Sequence, residues 1–333
     1  ARRAPIPPAR PRARHRRCPR LPAGGGALAV EGIPGAEARA EVRESTFVLN
    51  QSQSGRSGGA IRAVDAVLIV EDSTFLANLA QGGHGGAVYL QRAVATFARS
   101  TFSGNAADTS GGAIDANALS GGGPTSVELR DSTLTGNESD FDGDGSGDGG
   151  GLATVSAVGL TVDLTVVNSI VAGNLDDDAQ SKPDLSMFAL TATLTTTGWN
   201  LIGDNEGGED FFPAGSPNAQ GDFVGTTAAP IDPRLESLAD NGGPTATHRP
   251  LLEASSPVID QGACPDAESD QRGWGGDAAG GRAFDHPQVV DDALSDGCDI
   301  GAVERGAAPG SGSSLFADDF ETGRLLSWHG EAP

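Results

Sequence analysis

The stretch from Glu71 to Asn78, Glu-Asp-Ser-Thr-Phe-Leu-Ala-Asn, is one of five related blocks in this chain. The serines of the five blocks are Ser45, Ser73, Ser100, Ser132 and Ser169, so the spacings are 28, 27, 32 and 37 residues. A repeat of this length is typical of solenoids, in which each repeat supplies one supersecondary unit. The block therefore predicts stacked, similar coils over the first two thirds of the chain.

A second motif alternates with the first and begins with a pair of glycines. It appears as Gly58-Gly59-Ala60-Ile61, and related pairs begin at Gly25, Gly85, Gly111 and Gly149. Adjacent glycines let the chain bend where a Cβ would clash. Because the two motifs keep the same order and a similar period, each coil is expected to contain one strand region and one sharp turn.

The residues before each serine alternate with a period of two, as in Leu68-Ile69-Val70-Glu71, which predicts a strand. Stacking the repeats about 4.8 Å apart places equivalent residues in columns. The predicted columns are Ala40/Leu68/Ala95/Val127/Leu164, Val42/Val70/Phe97/Leu129/Val166, Phe47/Phe75/Phe102/Leu134/Val171 and the amide ladder Asn50/Asn78/Asn105/Asn137/Asn174. We predict an all-β, right-handed parallel β-helix, a pectate-lyase-like solenoid of about six coils. The sixth coil runs from about Asp184 to Ile202, and a loop-rich C-terminal cap follows.

Composition agrees with this fold and limits the partners. The chain has 49 Gly and 20 Pro with only 5% aromatic residues, which disfavours a large helical core. The formal net charge of −23 repels phosphate backbones, so nucleic acid is excluded as a partner, whereas cations such as Ca²⁺ are favoured. We find no apolar run near the roughly 20 residues of a membrane-spanning helix.

The domain organisation that we predict has four parts. Residues 1–23 form a disordered basic tail rich in Pro and Arg, residues 24–205 the parallel β-helix, residues 206–305 the cap, and residues 306–333 a linker and C-terminal tail. Two cysteines of the cap, Cys264 and Cys298, are 34 positions apart. In an oxidising compartment they would form a disulfide, and the sequence leaves the paired and unpaired states open.

The two repeat motifs resemble those of the chlamydial polymorphic outer membrane proteins, in which Gly-Gly-Ala-Ile alternates with Phe-x-x-Asn. The chain carries the first motif at Gly58 to Ile61 and the second at Phe47 to Asn50, Phe75 to Asn78 and Phe102 to Asn105. The resemblance implies an exported β-helix that acts as an adhesin at the cell surface or outer membrane. We see no membrane β-barrel after the repeats, so the resemblance does not extend to the autotransporter route.

From about Trp199 the sequence resembles the choice-of-anchor Q family of secreted bacterial β-helix proteins. Seven ordered pieces carry the resemblance, and they begin at Asn200, Gly221, Ile231, Asn241, Ser256, Asp270 and Cys298. It implies a surface-associated bacterial protein with a cap of the choice-of-anchor Q type. Within it, Asp270-Gln271-Arg272 is either a polar site or a buried brace.

An acidic insertion gives the clearest metal-binding pattern. Oxygen donors at positions 1, 3, 5, 7 and 9 and a glycine at position 6 reproduce the first part of a Ca²⁺-binding loop. The predicted ligands are Asp140, Asp142, Asp144, Ser146 and Asp148. Gly151 stands where such loops have a bidentate Glu, so we expect modest Ca²⁺ affinity unless a neighbouring coil contributes a ligand. The competing interpretation is a solvated acidic loop.

Two further patterns have weaker functional interpretations. Gly83-His84-Gly85 resembles a short motif of β-helix pectin hydrolases, but its second glycine belongs to the repeat and no matching Asp pair is visible. Asp176-Asp177-Asp178 suits a solvated turn or a second weak cation site. Lyases on this fold need a Lys or Arg base beside a metal-bound sugar acid. Lys182 is the only lysine, and arginines are sparse in the coils.

These observations favour a non-catalytic exported or cell-surface scaffold that binds a glycan or another surface ligand. The alternative is a calcium-assisted polysaccharide lyase or hydrolase on the same solenoid. We expect an extracellular or outer-membrane-associated bacterial location, and the sequence does not indicate the oligomeric state.

Overall fold

The computed structural model describes residues 25–33, 36–53, 55–119, 123–177, 182–189, 192–196, 198–264, 269–275, 282–290 and 295–309. The predicted basic tail, Asp178 and residues 310–333 lie outside these ranges. The described residues form strands, turns and loops without a helix. Their strands belong to four parallel sheets and one short antiparallel pair, Trp274–Gly275 with Ala308–Pro309.

The first and second sheets have six strands each. The first sheet consists of Leu28–Glu31, Ile61–Val64, Val88–Gln91, Ile114–Ala118, Leu152–Ser156 and Leu185–Ala189. The second sheet consists of Ala38–Arg43, Ala66–Glu71, Val94–Ala98, Thr125–Arg130, Val162–Val167 and Ala192–Thr196. Each strand pairs in parallel with its counterparts one repeat earlier and one repeat later.

The third and fourth sheets are built from shorter strands. The third sheet consists of Thr46–Val48, Thr74–Leu76, Thr101–Ser103, Thr133–Thr135, Ile170–Val171, Leu201–Ile202 and Phe223–Val224. The fourth sheet consists of Gln51–Ser52, Leu79–Ala80, Ala106–Ala107, Glu138–Ser139 and Leu175–Asp176. Five coils thus contribute to all four sheets and a sixth contributes to three, which confirms the predicted all-β parallel β-solenoid. The handedness of the coil stays a prediction.

The predicted columns are present in the register of the strands. Leu68 pairs with Ala40 and Ala95, and Phe75 lies between Phe47 and Phe102 in the third sheet. The three phenylalanine rings stack with centroid separations of 4.8 and 4.5 Å. Stacked inner residues of this kind form a continuous core, because each coil buries its apolar face against the coils on both sides.

The amide ladder lies at the turn between the third and fourth sheets. Each side-chain amide donates to the Oδ1 atom of the next residue along the ladder at 2.8 Å, from Asn50 through Asn78, Asn105 and Asn137 to Asn174. The same Oδ1 atoms accept the backbone N–H of the preceding ladder residue, as Asn137 does from Asn105. The ladder therefore satisfies buried polar groups at a bend in the backbone.

The glycine pairs are required where neighbouring coils approach most closely. Gly58 has a φ of 79°. A Cβ on Gly59 would lie 2.0 Å from the carbonyl oxygen of Gly86 in the next coil. Only glycine fits such a position, which explains why the pair recurs in each of the first five coils.

The C-terminal region covers both the last coil and one side of the solenoid. The strand Phe223–Val224 extends the third sheet beyond Leu201–Ile202, and the buried side chain of Phe212 packs against the core. The chain then returns along the outer face of the third sheet, where Thr74 donates to the carbonyl of Ala246 at 2.6 Å. We call the described residues between 245 and 305 the lateral segment. The lateral return is a finding that the sequence did not predict.

Single, non-repeating contacts hold this lateral segment against the coils. The amide of Gln271 donates to the hydroxyl of Thr74, and its oxygen accepts from Thr101 at 2.6 Å. Arg272 forms a buried ion pair with Asp270 at 2.6 Å. Asp270-Gln271-Arg272 is therefore a buried brace, the second of the two interpretations left open by the sequence.

The disulfide and a buried arginine lie farther along the same segment. Cys264 and Cys298 are paired, with Cα atoms 6.0 Å apart. The fully buried guanidinium of Arg282 forms ion pairs with Asp131 of the solenoid at 2.8 Å and with Glu304 at 3.4 Å. The lateral segment is thus attached to the fourth coil by buried charges.

Candidate functional sites

The acidic insertion folds as a loop that brings three carboxylates together. Asp140, Asp142 and Asp144 each offer an oxygen, and these oxygens lie within 4.8 Å of one another. Asp140 is buried and accepts the backbone N–H groups of Gly145 and Ser146, so the backbone wraps around it. Clustered carboxylate oxygens of this kind suit a hard cation such as Ca²⁺.

The other two predicted ligands have different surroundings. The hydroxyl of Ser146 donates to Asp144 and so belongs to the cluster. Asp148 forms an ion pair with Lys182 at 3.0 Å, which gives its carboxylate a cationic partner outside the cluster. The structure therefore groups four of the five predicted residues.

The next coil supplies an additional carboxylate near the loop. A Cβ on Gly143 would lie 3.5 Å from Oδ2 of Asp177, so the side chain of Asp177 reaches the insertion. Burial, and secondly repulsion from Asp177, raise the pKa of nearby Glu138. Asp177 therefore lies close enough to both Glu138 and the insertion to interact with them electrostatically.

The outer face of the first sheet forms a second group of functional side chains. Ile61, Val88 and Ile114 point into the core, so the residues that follow them point outward. In register, Arg62 pairs with Tyr89, and Tyr89 pairs with Asp115. We call Arg62, Tyr89, Asp115 and Phe188, together with His84 of the flanking turn, the first-sheet strip.

Tyr89 and Asp115 of the first-sheet strip are recessed although their side chains point away from the core. Tyr89 is 8% exposed and Asp115 is 1% exposed. His84 lies on the adjacent turn, where its backbone carbonyl accepts the N–H of Gly58 at 2.8 Å. The turns therefore rise above the sheet and shield the residues between them.

His84 and Asp115 face each other without a close hydrogen bond. The imidazole Nδ1 lies 3.7 Å from Oδ2 of Asp115. This nitrogen and Oδ1 of Asp115 are buried atoms without a hydrogen-bond partner. Buried polar atoms that lack partners require an explanation, and a ligand or ordered water that fills the gap is one of the few available.

The environment changes the protonation of these groups. Burial lowers the pKa of His84 and raises the pKa of Asp115 well above its ordinary value. Burial, and secondly the charge of Asp115, raise the pKa of Tyr89 to about 12. Burial therefore favours the neutral form of each of these three side chains.

The sequence indicates His84 but not the proximity of its side chain to Asp115. It assigns Gly85 of the Gly83-His84-Gly85 motif to the repeat, and the structure places His84 in a repeat turn. One feature of the sequence could have identified Asp115 as a functional candidate. It is an acidic residue directly after Ile114, at the outward position that Arg62 and Tyr89 occupy in earlier coils.

A cavity of about 430 Å³ lies where the fourth sheet ends, a size that is usual for small-ligand sites. Leu175, Pro183 and Ile231 contribute apolar lining, and Asp184 contributes a buried carboxyl. Burial raises the pKa of Asp184 to about 7, although Asn174 and the backbone of Asp204 donate hydrogen bonds to it. Asp184 thus terminates the amide ladder with a group that titrates near neutrality.

Comparison with known proteins identifies one similarity. Residues 99–117 match the Chlamydia polymorphic membrane protein repeat. This segment contains the strand Thr101–Ser103, the ladder residue Asn105, the pair Gly111-Gly112 and most of the strand Ile114–Ala118, so both predicted motifs lie within it. No curated protein and no solved structure matches the chain.

The matched repeat indicates a surface or outer-membrane protein with a β-helix. Within the part of the chain that the structure describes, no helical segment has the length and hydropathy needed to cross a bilayer.

Proposed function

We propose that this protein is a non-catalytic, exported scaffold of a bacterial cell surface that mediates adhesion by binding a glycan or another surface ligand. The observation that carries the proposal is the match of residues 99–117 to a repeat of surface proteins, located in the middle of a regular solenoid. A solenoid presents the same kind of surface over many coils, which suits an extended ligand.

Binding to cells and to a glycan array tests the proposal. Labelled protein is expected to bind in a saturable manner and to leave the bound glycan intact. A heat-unfolded sample of the same chain is the control. Reproducible release of reducing or unsaturated sugar ends would contradict the non-catalytic assignment, and absence of saturable binding to cells and glycans would contradict adhesion.

We further propose that the acidic loop binds Ca²⁺ through Asp140, Asp142, Asp144 and Ser146. Support comes from the three convergent carboxylates and from Asp177 on the next coil. Calcium is expected to raise the melting temperature, and a chelator to reverse the rise, because a ligand that binds only the folded state stabilises it. Asp148, the fifth ligand predicted from the sequence, would contribute only after leaving Lys182.

The matched variants for the calcium test are Asp142→Asn and Asp210→Asn. The first removes a carboxylate from the cluster, and the second removes an exposed carboxylate outside the insertion. We expect calcium to stabilise the Asp210 variant as it does the unmodified protein, and the Asp142 variant much less. Equal melting curves with calcium and with chelator for the unmodified protein would show that the loop is only solvated.

The second candidate function is a calcium-assisted polysaccharide lyase or hydrolase. It is favoured by the ion pair of Lys182 with Asp148, which places a basic side chain at the end of the acidic loop. Incubation with acidic polysaccharides and Ca²⁺ would produce unsaturated or reducing ends if this candidate is right. Turnover that disappears in a Lys182→Met variant would support it, and absence of turnover would eliminate it.

We also propose that the C-terminal region is of the choice-of-anchor Q type and that the protein works outside the cytoplasm. The seven ordered sequence pieces support the first statement. The disulfide between Cys264 and Cys298 supports the second, because disulfides persist in oxidising compartments. Fractionation of the native host, with detection of the protein on intact cells, tests the location.

A further inference from the structure

The first-sheet strip carries little unpaired charge. Its cationic side chain, Arg62, forms an ion pair with Glu31 of the preceding coil. Burial favours the neutral forms of His84 and Asp115. The strip therefore differs from the strongly negative chain as a whole, whose formal net charge is −23.

The same face carries an exposed aromatic ring. Phe188 pairs in register with Val155, and Val155 pairs with Asn117, so Phe188 points outward on the first sheet like Asp115. Its side chain is 69% exposed. An exposed aromatic ring offers a large apolar area that a ligand could cover.

Tyr89 and Phe188 are separated by three coils. With strands about 4.8 Å apart, the offset along the solenoid axis is about 14 Å. A pyranose unit in an extended glycan has a length comparable to the spacing of the coils. A chain of sugars that lies along the axis would therefore present successive hydroxyl groups to successive coils.

We propose that the first-sheet strip binds a neutral glycan chain along the solenoid axis, with one sugar at His84 and Tyr89 and a later sugar on the ring of Phe188. The inference rests on the proposed adhesive function and names its ligand class. A sugar hydroxyl can both donate and accept, so it suits the imidazole nitrogen and the phenol. A hydroxyl group of that sugar would fill the gap between Nδ1 of His84 and the carboxyl group of Asp115, which are 3.7 Å apart, so Asp115 acts as a positioning residue.

The charge balance distinguishes this ligand from others. An acidic polysaccharide would be repelled by the net negative protein and would find Arg62, the cationic side chain of the described strip, already paired with Glu31. A cationic ligand would find Glu31 paired and the carboxyl group of Asp115 buried in surroundings that favour its neutral form. Neutral hydroxyl groups fit the groups that are present.

The experiment titrates the whole chain with neutral hexasaccharides of glucose, mannose and N-acetylglucosamine, and with hexagalacturonate as the acidic comparison. At least one neutral hexasaccharide is expected to bind more tightly than hexagalacturonate. Phe188→Ala is expected to weaken that binding about tenfold, as for the loss of an aromatic contact of about 1.4 kcal/mol. Phe141→Ala, which removes an exposed ring on the acidic loop, is the matched control and should leave binding unchanged.

A second measurement separates positioning from folding. In Asp115→Asn, the NMR titration of the His84 ring should change and neutral glycan binding should weaken, while the melting transition stays cooperative. If none of the three neutral hexasaccharides binds, or if Phe188→Ala and His84→Ala both bind them normally, the inference is wrong. If these variants still adhere to cells, the assignment of the site is wrong but the proposed adhesive function stands. If the unmodified protein does not bind to cells, the proposed function is wrong.

Discussion

The coils and the lateral C-terminal segment pack against opposite faces of the same third sheet, yet they are stabilised in different ways. Inside the sheet, the contacts repeat, with phenylalanine rings stacked at 4.8 and 4.5 Å and ladder amides linked at 2.8 Å. Outside the sheet, Gln271, Arg282 and the disulfide each occur once. The coils therefore distribute their stability over equivalent positions, and the lateral segment concentrates it in a few residues.

The first coil shows where the lateral covering ends. Val48 is 46% exposed on the third sheet of this coil, whereas Ser103, at the equivalent position two coils later, is 9% exposed and contacts His248 at 2.9 Å. The repeat thus forms the sheet with or without the cover. This difference indicates that the lateral segment can detach from the third sheet while the coils stay folded.

Removing Arg282 should have the largest effect. Arg282→Ala leaves Asp131 and Glu304 buried without their guanidinium partner, and breaking a buried ion pair in this way costs about 3–5 kcal/mol. Chemical unfolding followed by tryptophan fluorescence and limited proteolysis of the C-terminal region measure the loss. Arg234→Ala, which breaks an exposed pair with Glu253, is the control and should cost less than about 1 kcal/mol. Equal stability of the two variants would contradict the assignment of Arg282 as the main attachment.

Reducing the disulfide should have the next largest effect. Cys264 and Cys298 are 34 positions apart, and a cross-link across a loop of this size stabilises by about 3–4 kcal/mol in the chain-entropy account. Unfolding with and without reductant should show a loss confined to the lateral segment, with the far-UV circular dichroism of the coils retained. Simultaneous collapse of the β-sheet signal would show that the two regions unfold as one unit.

Breaking the ladder in its middle should cost less than either change above. Asn105→Ala removes the donor to Asn137 and the acceptor for Asn78, which leaves buried groups unsatisfied at a cost of about 1–3 kcal/mol. Asn50→Ala, at the partly exposed end of the same ladder, is the matched control and should cost less. Thermal unfolding of both variants measures the difference in stability. A larger loss of stability for Asn50→Ala than for Asn105→Ala would contradict the expectation that the buried middle of the ladder contributes most.

The same contrast explains how much of the molecule the sequence could predict. The period of the repeats determined which residues pair, so the Phe and Asn columns followed from counting alone. Carboxylates at alternate positions of one loop also show directly in the sequence, and Asp140, Asp142 and Asp144 do converge. Both kinds of pattern are local or periodic.

The features that sequence reasoning missed depend on contacts that have no period. Arg282 and Asp131 are 151 positions apart, and nothing in either neighbourhood specifies the other. The pairing of His84 with Asp115 requires a turn side chain of one coil to reach the sheet of the next. Such contacts follow from side-chain placement in the folded state, and a single sequence contains no signal for them.

The stability of both regions should decrease as the pH rises through neutrality. Burial raises the pKa of Asp184 at the end of the ladder to about 7, and burial likewise raises the pKa of Asp299 in the lateral segment. An aspartate in the unfolded chain has a pKa of about 3.9, so between these values the folded state holds a proton that the unfolded state lacks. The stabilisation is therefore fully present below about pH 4 and is lost as the pH rises through about 7.

Comparing the unmodified protein with Asp184→Asn at pH 6.5 and pH 7.5 isolates Asp184. His84 and His248, whose pKa values are lowered mainly by burial, contribute in the opposite direction, because the unfolded chain binds protons at these residues near pH 6.5, but they contribute equally to both proteins. Each carboxyl group should lower the free energy of unfolding by up to about 1.4 kcal/mol per pH unit. Asp184→Asn keeps an acceptor for Asn174 but cannot titrate, so the difference in pH dependence between this variant and the unmodified protein reports Asp184. If the variant and the unmodified protein show the same pH dependence, Asp184 is ionised throughout and the ladder ends in a charge.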